Sequence, residues 1–307
     1  MAEGIKLEKI IKKMNLKNLT PNIKLEGKEI FVPEINRPAL QLMGYYDHFD
    51  LERIQVIGNV EYSYLIGIEE KKREKIYTNL FKHGIPCIII CNGLNPDQAL
   101  IDNAINTGTP IFQSDNTTSS LIAELIRWLN VQLAPCIFIN GVLVDVYGVG
   151  VLIMGDSGVG KSEAALELMK HGHRLVTDNV VEIRKISEDI LLGMAPDITR
   201  HCIEVRGVGI VDVKNLFGVQ SVRETQSINL VITLEEWSKY KEYDRFGLDE
   251  KHVEFLGNKI ICHTIPIRPG RNLAIIIESA AINHRQKQMG YNAAQELYKK
   301  VQEKFII

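Results

Sequence analysis

A lysine and a serine end the run Gly155-Asp156-Ser157-Gly158-Val159-Gly160-Lys161-Ser162, which fits the phosphate-binding pattern G-x-x-x-x-G-K-[ST] at every fixed position. The chemistry follows from the residue types. Glycines let backbone N–H groups turn toward a phosphate, and a helix starting behind them adds about half a positive charge. Lys161 is placed to reach the β- and γ-phosphates of a nucleotide, and the Ser162 hydroxyl to bind Mg²⁺. The run therefore reads as a site for a nucleotide or another polyphosphate.

Such a loop works only when a strand and a helix hold it. The apolar stretch Val149 to Met154 reads as a buried strand, and Glu163 to Lys170 as a helix ending at Gly172. That context separates a phosphate site from a glycine-rich turn. Cys136 to Ile139 and Leu143 to Val146 read as strands ahead of it. Arg174 to Ile183 reads as one strand carrying Asp178 and Asn179 near its middle. Ile203-Glu204-Val205, a glycine-bearing segment from Arg206 to Val213, and the strand Ile228 to Leu234 follow. Two helices, about Leu273 to Met289 and Ala293 to Phe305, close the chain.

The first part of the chain alternates short strands (Glu29 to Val32, Ile54 to Ile57, Pro86 to Cys91, Pro110 to Phe112) with helices. A longer helix capped near Thr117 or Thr118 carries the stripe Leu121, Ile122, Leu125, Ile126 and Leu129, a core or interface face. This order predicts a parallel-type α/β domain over residues 1–132, followed by the P-loop domain over residues 133–307. Nothing in the first domain has the pattern of a catalytic group, and Tyr45, Tyr46 and His48 read as surface-turn residues.

Of the 307 residues, 45% are hydrophobic and 24% charged, the profile of an ordinary globular protein. A formal net charge of −2 gives no electrostatic reason to expect nucleic acid or an acidic membrane surface as partner. The charged, periodic N-terminus does not read as a signal peptide, and no stretch nears the roughly 18 apolar residues that span a bilayer. The five cysteines are odd in number and lie mostly in apolar runs, so a reduced, cytoplasmic protein is expected.

A P-loop by itself does not choose among kinase, GTPase and ATPase. A GTPase also carries a guanine-reading Asn-Lys-x-Asp, and the Asn258-Lys259 pair here runs into Ile260-Ile261 instead. Four segments occur in order: Gly155 to Glu163, Ile203 to Gly218, Tyr243-Asp244-Arg245-Phe246-Gly247, and Ile265 to Ala274. Together with Asn36-Arg37-Pro38 and Gly44-Tyr45, they resemble the HPr kinase/phosphorylase family, bacterial enzymes acting on a serine of the phosphocarrier HPr in carbon catabolite regulation.

The resemblance implies a C-terminal P-loop kinase domain of the phosphoenolpyruvate-carboxykinase type and a homo-oligomer, usually a hexamer. It implies ATP or pyrophosphate as donor with Mg²⁺, and phosphorolytic reversal by inorganic phosphate. It assigns phosphate binding to Lys161, Mg²⁺ to Ser162 and Glu204, a catalytic role to Arg245, and dephosphorylation to the loop Pro266 to Arg271.

Two positions depart from the family pattern. Asn140 stands where a histidine usually precedes Gly-Val-Leu-Val-Asp, and Asp178-Asn179 stands where two aspartates are usual. The resemblance gives the second aspartate the proton transfer. An amide cannot accept that proton, and losing a general base costs about 10²–10⁴ in rate, roughly 3–5 kcal/mol of barrier. Asp178 is no automatic substitute, because neighbours on a strand point to opposite faces; its expected place is at Mg²⁺ or its waters. Two expectations follow: an enzyme relying on positioning and electrostatics, or an impaired regulatory paralogue that binds nucleotide and HPr.

Overall fold

The computed structural model describes residues 4–243, 250–268 and 270–305, and its contacts divide the chain into two compact units, Met1–Ala134 and Pro135–Ile307. Arg245 lies outside the described residues.

The first unit runs β1 (Ile5–Lys6), α1 (Leu7–Met14), β2 (Lys17–Asn18), β3 (Glu29–Ile30), β4 (Ile35–Asn36), α2 (Ala39–Leu42), β5 (Ile54–Ile57), α3 (Asn59–Ile66), α4 (Glu70–Lys82), β6 (Ile88–Ile90), α5 (Gln98–Thr107), β7 (Ile111–Gln113) and α6 (Thr118–Leu133). Strands β4 to β7 pair in parallel in chain order, and β2 closes the sheet antiparallel to β7. A sheet covered on both faces needs nearly continuous apolar strands, which is how Ile88-Ile89-Ile90 reads. Ile54, Val56 and Ile89 face α1 and α6, whose Leu121, Leu125 and Leu129 are fully buried. Ile57, Ile88 and Ile90 face the opposite core with Leu80, Phe81 and Leu100. The Thr117 side chain accepts from the Ser120 N–H and starts α6 where the sequence placed its cap.

Polar ties hold the open edge of this sheet. Asn36 Nδ2 donates to Gln55 Oε1 at 2.7 Å, and Arg37 pairs with the buried Glu61 at 2.8 Å. Burial pushes the Glu61 carboxyl up, but hydrogen bonds from Arg37 and the Gly58 N–H outweigh it and hold the group below its ordinary value. Tyr45 is exposed as expected, whereas Tyr46 is not a free surface residue: it is half-buried and stacks on His83 with ring centroids 4.2 Å apart.

The second unit runs β8 (Cys136–Asn140), β9 (Val142–Val146), β10 (Val149–Gly155), α7 (Lys161–Lys170), β11 (Arg174–Thr177), β12 (Val180–Lys185), β13 (Leu191–Met194), β14 (Cys202–Val205), β15 (Gly209–Asp212), α8 (Val213–Phe217), β16 (Thr225–Ser227), β17 (Leu230–Glu236), β18 (Lys251–Phe255), β19 (Asn258–Ile267), α9 (Leu273–Gln288) and α10 (Ala293–Phe305). A six-stranded sheet in the order β11-β9-β10-β17-β19-β18 and a four-stranded sheet in the order β16-β13-β12-β8 form two layers. Alternation divides their cores. Val151 and Ile153 of β10 pack toward Leu168 of α7 and Ile277 of α9, while Leu152 packs toward Val181 and Ile183 of the second sheet. Strands β10, β17 and β19 are parallel, so their carboxyl ends share the edge from which the P-loop leaves.

Arg174 to Ile183 is not one strand. It divides into β11 and β12, which belong to different sheets, and Asp178-Asn179 forms the corner between them. Asn179 sits at φ 67°, a left-handed value that asparagine and aspartate tolerate better than most residues. The rule that strand neighbours face opposite ways therefore does not apply at this pair.

Candidate active site

Strand β10 delivers the chain into the P-loop, and α7 begins with its lysine and serine. Gly155 cannot be replaced without strain: its φ is 141°, and a Cβ there would lie 2.4 Å from the Leu234 carbonyl oxygen of β17. Lys161 Nζ donates to the carbonyls of Gly155 and Asp156, both at 2.8 Å, so the ammonium lies along the loop that would carry phosphate.

The corner after β11 faces the start of α7. Ser162 Oγ donates to Asp178 Oδ1 at 2.8 Å, and Asp178 Oδ2 accepts the Glu204 N–H at 2.9 Å. Asp178 is 2% exposed, and burial pushes its carboxyl up; the hydrogen bonds from Glu204 and Ser162 oppose the shift, and the Glu204 charge adds to it. Asn179 turns to the same place, its Nδ2 donating to Glu204 Oε2 at 3.2 Å. Asn140 ends β8 opposite Val180, and the next residue, Gly141, donates its N–H to the Asn179 carbonyl at 3.1 Å. The fold thus gathers Lys161, Ser162, Asp178, Asn179 and Glu204 around one corner, with Asn140 beside it.

Strand β19 brings Pro266 and Ile267 to the same sheet edge, and Pro269 of the segment Pro266 to Arg271 lies outside the described residues. The Arg268 guanidinium stacks 3.7 Å from the Trp237 ring centre, and Arg271 Nη1 donates to the Pro266 carbonyl at 2.9 Å. Asn272 caps α9 and donates to Glu167 of α7 at 2.5 Å, which ties this segment to the P-loop helix.

Arg206 lies in the segment Ile203 to Gly218, which carries the family resemblance, but no partner for its side chain could be read from the sequence. Its Nη2 donates to Ser157 Oγ at 3.0 Å, and a Cβ on Gly158 would meet its Nη1 at 2.5 Å. The guanidinium therefore lies on the P-loop. Among the described residues, it and Lys161 are the cations lining the cleft, with Glu163 and Glu204 beside them.

The donor set fits Mg²⁺. The Ser162 hydroxyl and the Glu204 carboxylate are hard oxygen ligands, with the Asp178 carboxylate hydrogen-bonded behind both, and Mg²⁺ normally takes one or two carboxylates with waters and phosphate oxygens rather than an all-protein cage. Among the described residues there is no group of three or more His, Cys, Asp or Glu arranged as such a cage. Nor is any helix among them long and apolar enough to cross a membrane.

Comparison with known proteins bears on both units. The HPr serine kinase N-terminus family matches residues 5–129, and the HPr serine kinase C-terminal domain family matches residues 131–301. A protein of Lachnoclostridium phytofermentans called HPr kinase/phosphorylase is 60% identical over 297 residues, 97% of this chain and 96% of that relative. One of the same name from Caldanaerobacter subterraneus is 50% identical, over 97% of this chain and 98% of the relative. A solved structure of the Hpr(Ser) kinase/phosphatase from Coxiella burnetii is 32% identical and covers 52% of this chain and 98% of its own, with a TM-score of 0.47.

Proposed function

The chain belongs to the HPr serine kinase family, and from that premise we propose that it transfers a phosphoryl group from ATP to a serine of the phosphocarrier HPr and reverses the transfer with inorganic phosphate. Pyrophosphate is the second donor in this reading, and Mg²⁺ the metal. The observation that carries it is the hydrogen-bonded run from Ser162 through Asp178 to Glu204 beneath a complete P-loop.

Each residue does a stated job. Backbone N–H groups of Gly155 to Ser162 and the Lys161 ammonium hold the phosphates of the donor. Ser162 and Glu204 would hold Mg²⁺, and buried Asp178 fixes both by accepting from the serine hydroxyl and the Glu204 N–H. Bound there, Mg²⁺ neutralises charge developing on the phosphate oxygens. Asp178 has both oxygens committed within the corner, so it positions rather than meets the HPr hydroxyl. Asn179 accepts no proton. A loose phosphoryl transfer asks little early deprotonation of its nucleophile, so positioning and charge sustain turnover at a reduced rate. No specific observation favours a regulator that binds without turning over.

In the same reading the protein works in the cytoplasm as a homo-oligomer, a hexamer joined mainly through its P-loop units, and Arg245 supplies a further positive charge during transfer. Calorimetry with ATP and Mg²⁺ tests the donor site: wild type binds, and Lys161→Ala weakens binding strongly. Wild type that fails to bind, or a variant that binds equally, contradicts it.

A further inference from the structure

In the first unit, the parallel strands β5 and β6 end at Ile57 and Ile90, and both residues line a cleft of about 290 Å³. Open α/β sheets commonly seat ligands outside the carboxyl ends of their strands. Leu65 and Ile66 of α3 and Leu100 of α5 complete an apolar wall. The polar groups around it are mostly committed to one another. The Tyr62 hydroxyl donates to the Asn95 carbonyl at 2.8 Å, and the Tyr77 hydroxyl to Asp97 Oδ2 at 3.1 Å. Asp97 also accepts the Leu100 N–H at 2.9 Å and pairs with Arg73 Nε at 2.6 Å. Arg73 is the exception. Its side chain is 18% exposed, and its Nη1 reaches the Leu65 carbonyl at the long distance of 3.4 Å. Among the described residues, no hydrogen bond leaves its Nη2.

Charge decides what that donor can meet. Arg73 and Asp97 are the charged residues lining the cleft, and they already cancel. An anion would sit beside the Asp97 carboxylate without a cation of its own, which is costly away from water. An uncharged carbonyl oxygen takes the guanidinium N–H without that cost. The volume lies near the bottom of the about 300–1,000 Å³ usual for ligand sites, so the occupant is small. We infer that this cleft binds a small uncharged molecule, its apolar body against Leu65, Ile66 and Leu100 and its carbonyl oxygen accepting from Arg73. The first unit then carries a ligand site of its own, which stands whether or not the P-loop holds ATP. The competing account is a surface groove that binds nothing.

Saturation-transfer NMR titrations of the full-length protein test this with three probes of similar shape. Acetophenone carries the carbonyl, ethylbenzene lacks it, and benzoate carries a charge. Wild type is expected to bind acetophenone about tenfold more tightly than either of the others, the usual gain from one hydrogen bond to a charged group. Arg73→Met keeps an apolar stem without the donors; it should lose that tenfold for acetophenone and leave ethylbenzene unchanged. Because Arg73→Met strands Asp97, the double variant Arg73→Met/Asp97→Asn accompanies it and should show the same loss without a lone charge. Ile66 is 57% exposed at the cleft, so Ile66→Trp should fold normally while filling the space and weakening both uncharged probes by about tenfold. Wild type that binds no acetophenone, or binds benzoate more tightly, would overturn the inference. So would undiminished acetophenone binding by the double variant or by Ile66→Trp.

Discussion

In the proposed mechanism, Asn179 is the residue on which the rate is expected to turn. Its amide donates to Glu204, so Asn179→Asp replaces a hydrogen bond at 3.2 Å with two carboxylates side by side. The backbone at φ 67° accepts aspartate, so the exchange is local. Without metal the variant should therefore be less stable than wild type, and Mg²⁺ should restore it. With Mg²⁺, its kinase rate should rise by a large part of the 10²–10⁴ expected of a general base, and the phosphorolytic rate with it. Asn140→His should help further only in combination if a histidine there orients the new carboxylate, since Asn140 pairs with Val180 and Gly141 bonds the Asn179 carbonyl. Thermal melting with and without Mg²⁺, and initial rates of all four proteins, check these outcomes. A wild type already turning over at about 1–100 per second, with nothing added by Asn179→Asp, would contradict the argument.

At the scale of elements, what was legible in the sequence depended on local signals. The strand–loop–helix around Gly155 to Ser162 could be read because periodicity, glycines and a helix start agree over one continuous stretch. The corner at Asp178-Asn179 could not, since a left-handed asparagine inside an apolar run looks like a strand until its two halves join different sheets. Arg206 was hidden for a related reason: its meeting with Ser157 spans 49 residues of sequence. The Arg37–Glu61 tie in the first unit, which spans 24 residues, was hidden in the same way, and it carries a prediction. Arg37→Met leaves a buried carboxylate short of a partner and should destabilise the region around β5 and α3 by about 1–3 kcal/mol, read as faster hydrogen exchange there. The Glu61 carboxyl is held low in the folded state, so the stability it gives is fully present above its ordinary value near 4.5 and is lost as pH falls through the depressed one. Wild type and Glu61→Gln should accordingly differ at pH 7 and converge in acid. A constant difference at all pH values would contradict the assignment.

The whole molecule joins a parallel α/β unit to a two-layer P-loop unit, and relatives called HPr kinase/phosphorylase match it over nearly its full length. Light scattering at micromolar concentration should report six copies of the 34.7 kDa chain; a monomer would contradict the proposed assembly. The central claim is the donor site itself, a P-loop whose lysine, serine and acidic corner pass phosphate to HPr. Incubation of the protein with γ-labelled ATP, Mg²⁺ and HPr tests it most directly. Label should appear on a serine of HPr, leave again when inorganic phosphate is added, and be absent with Lys161→Ala. Wild type that binds ATP yet leaves HPr unlabelled, or a Lys161→Ala variant that labels it equally, would contradict the account.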